Sequence, residues 1–369
     1  MNKENLAIYQ HKEEIVKAVI ENQVIVVEAP TGSGKTTQIP QILFEAGLDG
    51  WGMIGVTQPR RIAAYGVSSR IAYEMNCELG GLVGYKIRFE DVTSQNTKIK
   101  IMTDGILLEE LRSDHLLLKY SVIIVDEAHE RSLNIDFILG LLKEIVKERK
   151  DLKIVISSAT INAKLFSDYF FGAPVISVKT KPYPIDVRYI PNAKKDDYEV
   201  MQNKIVQIVS ELENENQSGD ILIFLPGEDT IKECLRRLQE IDVNDKFMVI
   251  PLYARLAPEE QNRVFDTFPN KRKIVIATNI AETSITINGI IYVIDSGFSK
   301  INYYNARTFT SFLELKPISK ASCDQRKGRA GRTAPGIVYR LYSEEDYNSR
   351  EEYTKEEIYR TDLSEVVLR

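Results

Sequence analysis

Ala29-Pro-Thr-Gly-Ser-Gly-Lys-Thr36 sets two glycines, a lysine and hydroxyls at a spacing suited to holding phosphate. Glycines let successive backbone N–H groups turn inward onto phosphate oxygens, and a helix starting at the lysine adds the positive end of its dipole. Gly32, Ser33 and Gly34 would wrap the phosphate chain while Thr36 and Thr37 open the helix. Lys35 would reach the β- and γ-phosphates, and the Thr36 hydroxyl would take a magnesium ion. The position usually held by a leading glycine is Ala29. Taken alone, such a turn means nucleotide binding and nothing more.

The second chemical cluster is Asp126-Glu-Ala-His-Glu-Arg-Ser132, directly after the apolar run Val122 to Val125. A buried strand leading into two acids places them at its carboxyl end, in the crevice where α/β sheets bind ligands. Two adjacent acids can divide the labour. Asp126 would hold the metal with Thr36, and Glu127, beside that metal, would orient and deprotonate the attacking water.

These groups need a scaffold, and the pattern supplies one. Short β-branched runs alternate with longer amphipathic segments, the form of parallel strands joined by crossover helices in an α/β protein. Strands are predicted at 24–28, 53–57, 99–102, 121–126 and 153–157, then at 185–190, 221–225, 247–252, 273–277 and 290–295. Between the two sets, Lys179-Thr-Lys-Pro-Tyr-Pro184 carries two prolines that stop a helix, which puts the boundary between domains 1–180 and 181–369. Residues 1–23 place Leu6, Ile8, Ile15, Val16, Val19 and Ile20 at helical spacing, a docking helix rather than a leader.

Asp-Glu-Ala-His at 126–129 resembles the motif that names the DEAH-box group of superfamily 2 helicases, and the rest of the chain is similar to that family in order. Thr57-Gln-Pro-Arg-Arg61, Gly84-Tyr-Lys-Ile-Arg-Phe-Glu90 and Thr103-Asp-Gly-Ile-Leu-Leu108 resemble its first-lobe strand-contacting motifs. Ser158-Ala-Thr160 resembles the motif that couples hydrolysis to movement. Ile221-Leu-Ile-Phe-Leu-Pro-Gly227, Thr278-Asn-Ile-Ala-Glu-Thr-Ser-Ile-Thr286 and Gln325-Arg-Lys-Gly-Arg-Ala-Gly-Arg332 resemble its second-lobe motifs.

The resemblance implies two tandem RecA-like P-loop domains with mainly parallel sheets and a β-hairpin in the second, over Phe298 to Leu315. It implies an ATP-dependent RNA helicase motor core that uses ATP, other nucleoside triphosphates and Mg2+. Gln325 would orient water with Glu127, Arg329 and Arg332 would be arginine fingers, and His129 would link the acid loop to the second lobe. Ser284 and Thr286 would sense the γ-phosphate. Arg70 and Phe265 would sandwich the base, and Asn288 stands where the family usually has an aspartate near the ribose. Arg60, Arg88, Thr103 and Asn279 would contact single-stranded RNA without reading its sequence.

Composition narrows the alternatives. Hydrophobic residues make up 43% and charged residues 27%, the balance of a folded globular chain, and no apolar run approaches the roughly 20 residues that span a bilayer. The sequence reads as a cytoplasmic monomer that does not engage a membrane. Cys77, Cys234 and Cys323 are odd in number and widely spaced, which argues against disulfides and zinc. A net charge of −5 means that a nucleic-acid strand must be met by a local basic groove. A DNA-directed motor and an ATP-gated clamp remain as alternatives, although a clamp needs no hydrolytic apparatus. Family members continue into winged-helix and oligonucleotide-binding domains, so a fragment is expected, and activator proteins with glycine-rich patches are expected partners. The lysine, isoleucine and asparagine content points to a bacterial member.

Overall fold

The first strand, β1 (Val24–Glu28), shows why the central runs are apolar without interruption. Val24 and Val26 enter one hydrophobic core while Ile25 and Val27 enter another on the opposite face. A sheet covered on both sides has no solvent face to alternate towards. The computed structural model describes residues 6–30, 32–159, 163–179, 183–191, 197–214, 218–283, 285, 287–332 and 334–364. The chain divides into two compact units: Met1–Lys181 with Glu356–Tyr359 and Leu363–Arg369, and Pro182–Lys355 with Arg360–Asp362. The expected boundary at 180 falls on residues outside the described ones.

The first unit continues with β2 (Met53–Gln58), β3 (Val83–Ile87), β4 (Glu90–Val92), β5 (Ile99–Thr103), β6 (Tyr120–Val125), β7 (Lys153–Ser158) and β8 (Val175–Ser177). Their order across the sheet is β4-β3-β5-β2-β6-β7-β1-β8, and only the β3–β4 pairing is antiparallel. β7 therefore lies between β6 and β1, with Val125 opposite Ile156 and Glu28 opposite Ser158. The carboxyl ends of three neighbouring strands finish side by side. At the N-terminus, helices Ala7–Gln10 and Lys12–Glu21 bury Ile8, Ile15 and Val19 in the β1 core. Ile20, expected on the same stripe, is exposed.

The second unit holds β9 (Ile185–Tyr189), β10 (Asp220–Phe224), β11 (Phe247–Leu252), β12 (Arg272–Ala277), β13 (Ile290–Asp295), β14 (Phe298–Asn305), β15 (Thr310–Pro317) and β16 (Gly336–Arg340). Six of these form an all-parallel sheet in the order β11-β12-β10-β13-β16-β9. Helix Glu228–Ile241 turns Ile231, Cys234 and Leu238 onto it at helical spacing, and helix Tyr198–Asn214 adds Ile205, Ile208 and Leu212. β14 and β15 pair as the antiparallel hairpin, with Tyr303 opposite Phe312 and their rings stacked 6.2 Å apart. Those aromatics pack within the hairpin, while Phe309 at its tip is exposed.

The helix that leads to Phe265 is short. It spans Pro258–Asn262, a 3-10 turn carries Arg263–Phe265, and Asp266 is extended. Pro269 disfavours helix in the residue before it, and the turn ends ahead of that point.

Candidate active site

The phosphate turn forms where β1 ends. Gly34 caps helix Lys35–Glu45 with a φ of +88°, a left-handed conformation that glycine adopts without strain. Its bare Cα also admits neighbours: a Cβ there would stand 3.1 Å from Leu6 and 3.3 Å from Ile8. The backbone N–H of Ile8 donates to the Ser33 carbonyl at 3.3 Å, so the N-terminal segment buttresses the turn.

The acid loop forms where β6 ends. Asp126 is 1% exposed and accepts three hydrogen bonds from uncharged groups. Thr36 Oγ1 donates to its Oδ2 at 2.7 Å, Gln58 Nε2 to the same oxygen at 2.7 Å, and Ser157 Oγ to Oδ1 at 2.6 Å. The donors come from the phosphate helix, β2 and β7, which the strand order brings together. Gln58 and Ser157 are functional neighbours that sequence reasoning missed, because neither sits in a spacing pattern with Asp126. Burial, followed by the adjacent Glu127 charge, pushes the Asp126 carboxyl above the usual carboxylate range, against the pull of Lys35 and the two hydroxyls.

Glu127 has a φ of +51°, which is uncommon for a residue with a side chain and marks local strain at a functional turn. The reversal aims it at Lys35, whose Nζ lies 3.4 Å from Glu127 Oε1 with both side chains 3% exposed. On the other side, His129 Nε2 lies 3.4 Å from Glu127 Oε2. His129 Nδ1 accepts the Ala159 N–H at 3.2 Å, so the ring proton belongs on Nε2, facing Glu127. Burial lowers the imidazole pKa and favours that neutral form. His129 thus joins Glu127 to the end of β7 within its own unit. Thr160, the last residue of the Ser158-Ala-Thr motif, lies outside the described residues.

The residues fit a triphosphate with a hard cation. A hydroxyl and a carboxylate already 2.7 Å apart, at the start of a helix whose lysine faces inward, offer the oxygen ligands magnesium prefers. Among the described residues, no group of three or more His, Cys, Asp or Glu side chains could hold a metal alone. An ion here would take Thr36 and Asp126 together with phosphate oxygens.

A cleft of about 470 Å³ in the same unit is lined by Arg61, Arg88, Thr103, Glu109, Arg112 and Asn134, among others. It holds two of the four expected strand contacts, Arg88 and Thr103, in a basic setting. Arg60 lies beside the acid loop, with its guanidinium 3.2 Å from Glu130. Beneath the cleft, Asp104 is 3% exposed, and burial, then the Glu130 charge, pushes its carboxyl up to about 7.

In the second unit, helix Lys320–Lys327 carries Gln325, half-buried, and is followed by Arg329 and Arg332. Arg329 Nε donates to the Glu282 carbonyl at 2.9 Å and its Nη1 to the Ile285 carbonyl. Arg332 Nη1 reaches that same carbonyl at 3.4 Å. Both finger candidates therefore rest on the backbone of the Thr278–Thr286 motif. Ser284 and Thr286 themselves lie outside the described residues. Asn279 and Asn288 are exposed, Phe265 is half-buried in its 3-10 turn, and Arg70 is exposed on the first unit. Gly331 answers a need inside its own unit: a Cβ there would meet Ile185 at 2.7 Å.

The sequence passed over Arg326, which is fully buried. It donates from Nε to Glu282 at 2.8 Å and from Nη1 to Asp295 at 2.7 Å, with the Phe224 ring 4.7 Å away. Arg326 ties the arginine helix to the Thr278–Thr286 segment and to the end of β13. The three cysteines are free thiols.

Two family profiles match the chain, one described as DEAD/DEAH box helicase over residues 9–167 and one as helicase conserved C-terminal domain over residues 203–334. A protein of Borreliella burgdorferi named ATP-dependent RNA helicase HrpA is 55% identical over 373 residues, covering 100% of this chain and 45% of that protein. The Escherichia coli protein of the same name is 51% identical over 367 residues, covering 99% of this chain and 28% of its own length. Among solved structures, Escherichia coli DEAH/RHA helicase HrpB matches with a TM-score of 0.90 and 32% identity, over 99% of this chain and 46% of that one. The chain spans less than half the length of these relatives.

Proposed function

The chain belongs to the DEAH-box helicases, and from that premise we propose that it is an RNA helicase motor core, spending ATP, or another nucleoside triphosphate, to move along single-stranded RNA. The observation that carries the reading is the joined cluster of Lys35, Thr36, Asp126 and Glu127 at the ends of β1 and β6. Those four residues match the two halves of a phosphoryl-transfer site, one for phosphate and cation, one for water.

In this reading Thr36 and Asp126 hold Mg2+, which when bound neutralises charge on the β- and γ-phosphate oxygens. Lys35 leaves Glu127 for the phosphates as the nucleotide arrives. Glu127 then accepts a proton from the water whose oxygen bonds to the γ-phosphorus, while the bond to the β–γ bridging oxygen breaks and ADP departs. His129, neutral, presents its Nε2 proton towards Glu127, 3.4 Å away, and steadies its orientation. Gln325 steadies the water, and Arg329 and Arg332 exchange the Ile285 carbonyl for transition-state charge, with Ser284 and Thr286 sensing the γ-phosphate. Turnover is thereby tied to movement of the second unit's arginines. Arg70 and Phe265 take the base, Asn288 the ribose, and Arg60, Arg88, Thr103 and Asn279 the strand phosphates.

We further propose that the protein works as a cytoplasmic monomer stimulated by an activator protein. Among the described residues no helix is long and apolar enough to cross a membrane.

Steady-state ATP hydrolysis with and without single-stranded RNA, at fixed salt, tests the proposal, with single-stranded DNA as the parallel arm. Stimulation by RNA is expected, and Glu127→Gln should lower turnover by about 10³-fold. Full turnover in that variant would remove Glu127 as the base. Equal stimulation by DNA would favour a DNA-directed motor.

A further inference from the structure

Glutamines 38 and 41 sit one turn apart on the phosphate helix, and they are 0% and 1% exposed. Apolar side chains would be cheaper there, since a buried amide costs free energy unless its hydrogen bonds are met. Both turn their amide nitrogens to a single carboxylate oxygen: Gln38 Nε2 and Gln41 Nε2 each donate to Glu74 Oε2 at 2.7 Å. A carboxylate only accepts, so the amide orientation is fixed. The other oxygen, Glu74 Oε1, accepts Arg70 Nε at 2.6 Å. Gln41 Nε2 also donates to the Thr37 carbonyl at 2.9 Å, and Gln38 Nε2 to Thr37 Oγ1 at 3.2 Å. A continuous hydrogen-bonded path thus runs from Thr37, beside the phosphate turn, to a guanidinium whose side chain is 46% exposed. Burial alone would raise the Glu74 carboxyl, yet the bonds from Gln41, Gln38 and Arg70 hold it below the usual carboxylate range.

We propose that Glu74 is the positioning residue for the base end of the nucleotide, holding the Arg70 guanidinium at a set place relative to the phosphate turn through Gln38 and Gln41. The inference rests on the assignment of Arg70 to the base. An exposed arginine samples many rotamers, and fixing it before the ligand arrives reduces what binding must order. Because the tether starts at the phosphate helix, the distance between phosphate and base contacts is built into one unit. Glu74 touches neither phosphate nor base, so its effect must appear only with ligands that carry a base.

The test measures the KM for ATP and the inhibition constant of inorganic tripolyphosphate, which has the phosphates and no base, using the full chain with single-stranded RNA. Glu74→Gln should raise the ATP KM roughly five- to tenfold, the scale of losing one ordinary hydrogen bond, with kcat within about twofold. Tripolyphosphate inhibition should not move. Arg70→Ala should raise the ATP KM at least as far, and the double variant should be no worse than Arg70→Ala alone, since both act through one contact. Equal weakening of tripolyphosphate, or full additivity with Arg70→Ala, would make Glu74 a tie between helices and overturn the proposal. An effect of Arg70→Ala with none from Glu74→Gln overturns the proposal alone, whereas an unchanged KM in Arg70→Ala overturns the base assignment and the proposal with it. Should Glu74→Gln fail to fold, Glu74→Asp, which keeps the charge but shortens its reach, decides. A raised ratio of ATP KM to tripolyphosphate constant supports the proposal, and an unchanged ratio overturns it.

Discussion

In the acid loop of the first unit, three uncharged donors converge on one buried carboxylate, whereas in the arginine helix of the second, two buried carboxylates converge on one guanidinium. Thr36, Gln58 and Ser157 bond to Asp126, and none of the three donors carries a charge. Arg326 bonds directly to both Glu282 and Asp295, so each of those carboxylates has a cation as its partner. The carboxyl groups respond accordingly. Burial pushes both upward, but Asp126 stays raised while the Arg326 guanidinium brings Asp295 below the usual range. One cluster is unfinished and suited to receive a cation. The other already holds a cation and serves as scaffold.

The sharpest way to break this contrast is Arg326→Leu. It should cost about 3–5 kcal/mol of stability in chemical denaturation, because it leaves Glu282 and Asp295 buried without their cation. A loss below about 1 kcal/mol would mean that Arg326 does not anchor its helix. Ser157→Ala should leave the fold nearly intact and raise the Mg2+ concentration for half-maximal turnover by about tenfold, the scale of one bond to a charged group. An unchanged magnesium requirement would separate Ser157 from the cation site.

Asp104 supplies a smaller and pH-dependent effect. Its folded carboxyl is pushed up to about 7, so between about pH 4 and 7 the unfolded chain ionises this group and the folded chain does not. Stability from this residue is therefore complete below about pH 4 and lost as the pH rises through 7. Asp104→Asn should gain about 2 kcal/mol relative to the parent between pH 5 and pH 8, measured by urea denaturation at both. Parallel behaviour of the two proteins would place the Asp104 carboxyl in contact with solvent.

Central strands were legible because two-sided burial writes itself as unbroken Val and Ile, as in β1 and β6. β3, β4, β8 and β16 are not among the strands the sequence predicts. β8 and β4 have only three residues each, and β3 (Val-Gly-Tyr-Lys-Ile) and β16 (Gly-Ile-Val-Tyr-Arg) mix glycine and charge into short runs. Motif residues were legible by type and spacing. Their partners were not: Gln58 and Ser157 lie 68 and 31 residues from Asp126, and Glu282 lies 44 from Arg326. Which arginine in Gln325–Arg332 turns inward depends on acids that only the folded sheet brings near.

The place of β1 in its sheet has a consequence for how the protein is made. β1 leaves a ribosome before every other strand of its sheet, yet its two neighbours are β7 and β8, the last strands of that sheet. Both of its edges stay open until about 150 further residues have been synthesised, on the order of 10–30 s at typical elongation rates. Throughout that interval Val24-Ile-Val-Val27 is an exposed, uncharged, strand-forming segment of the kind that pairs with other chains. The nascent protein should therefore depend on holdase chaperones, and slowing translation within residues 30–175 should lower soluble yield more than slowing it afterwards.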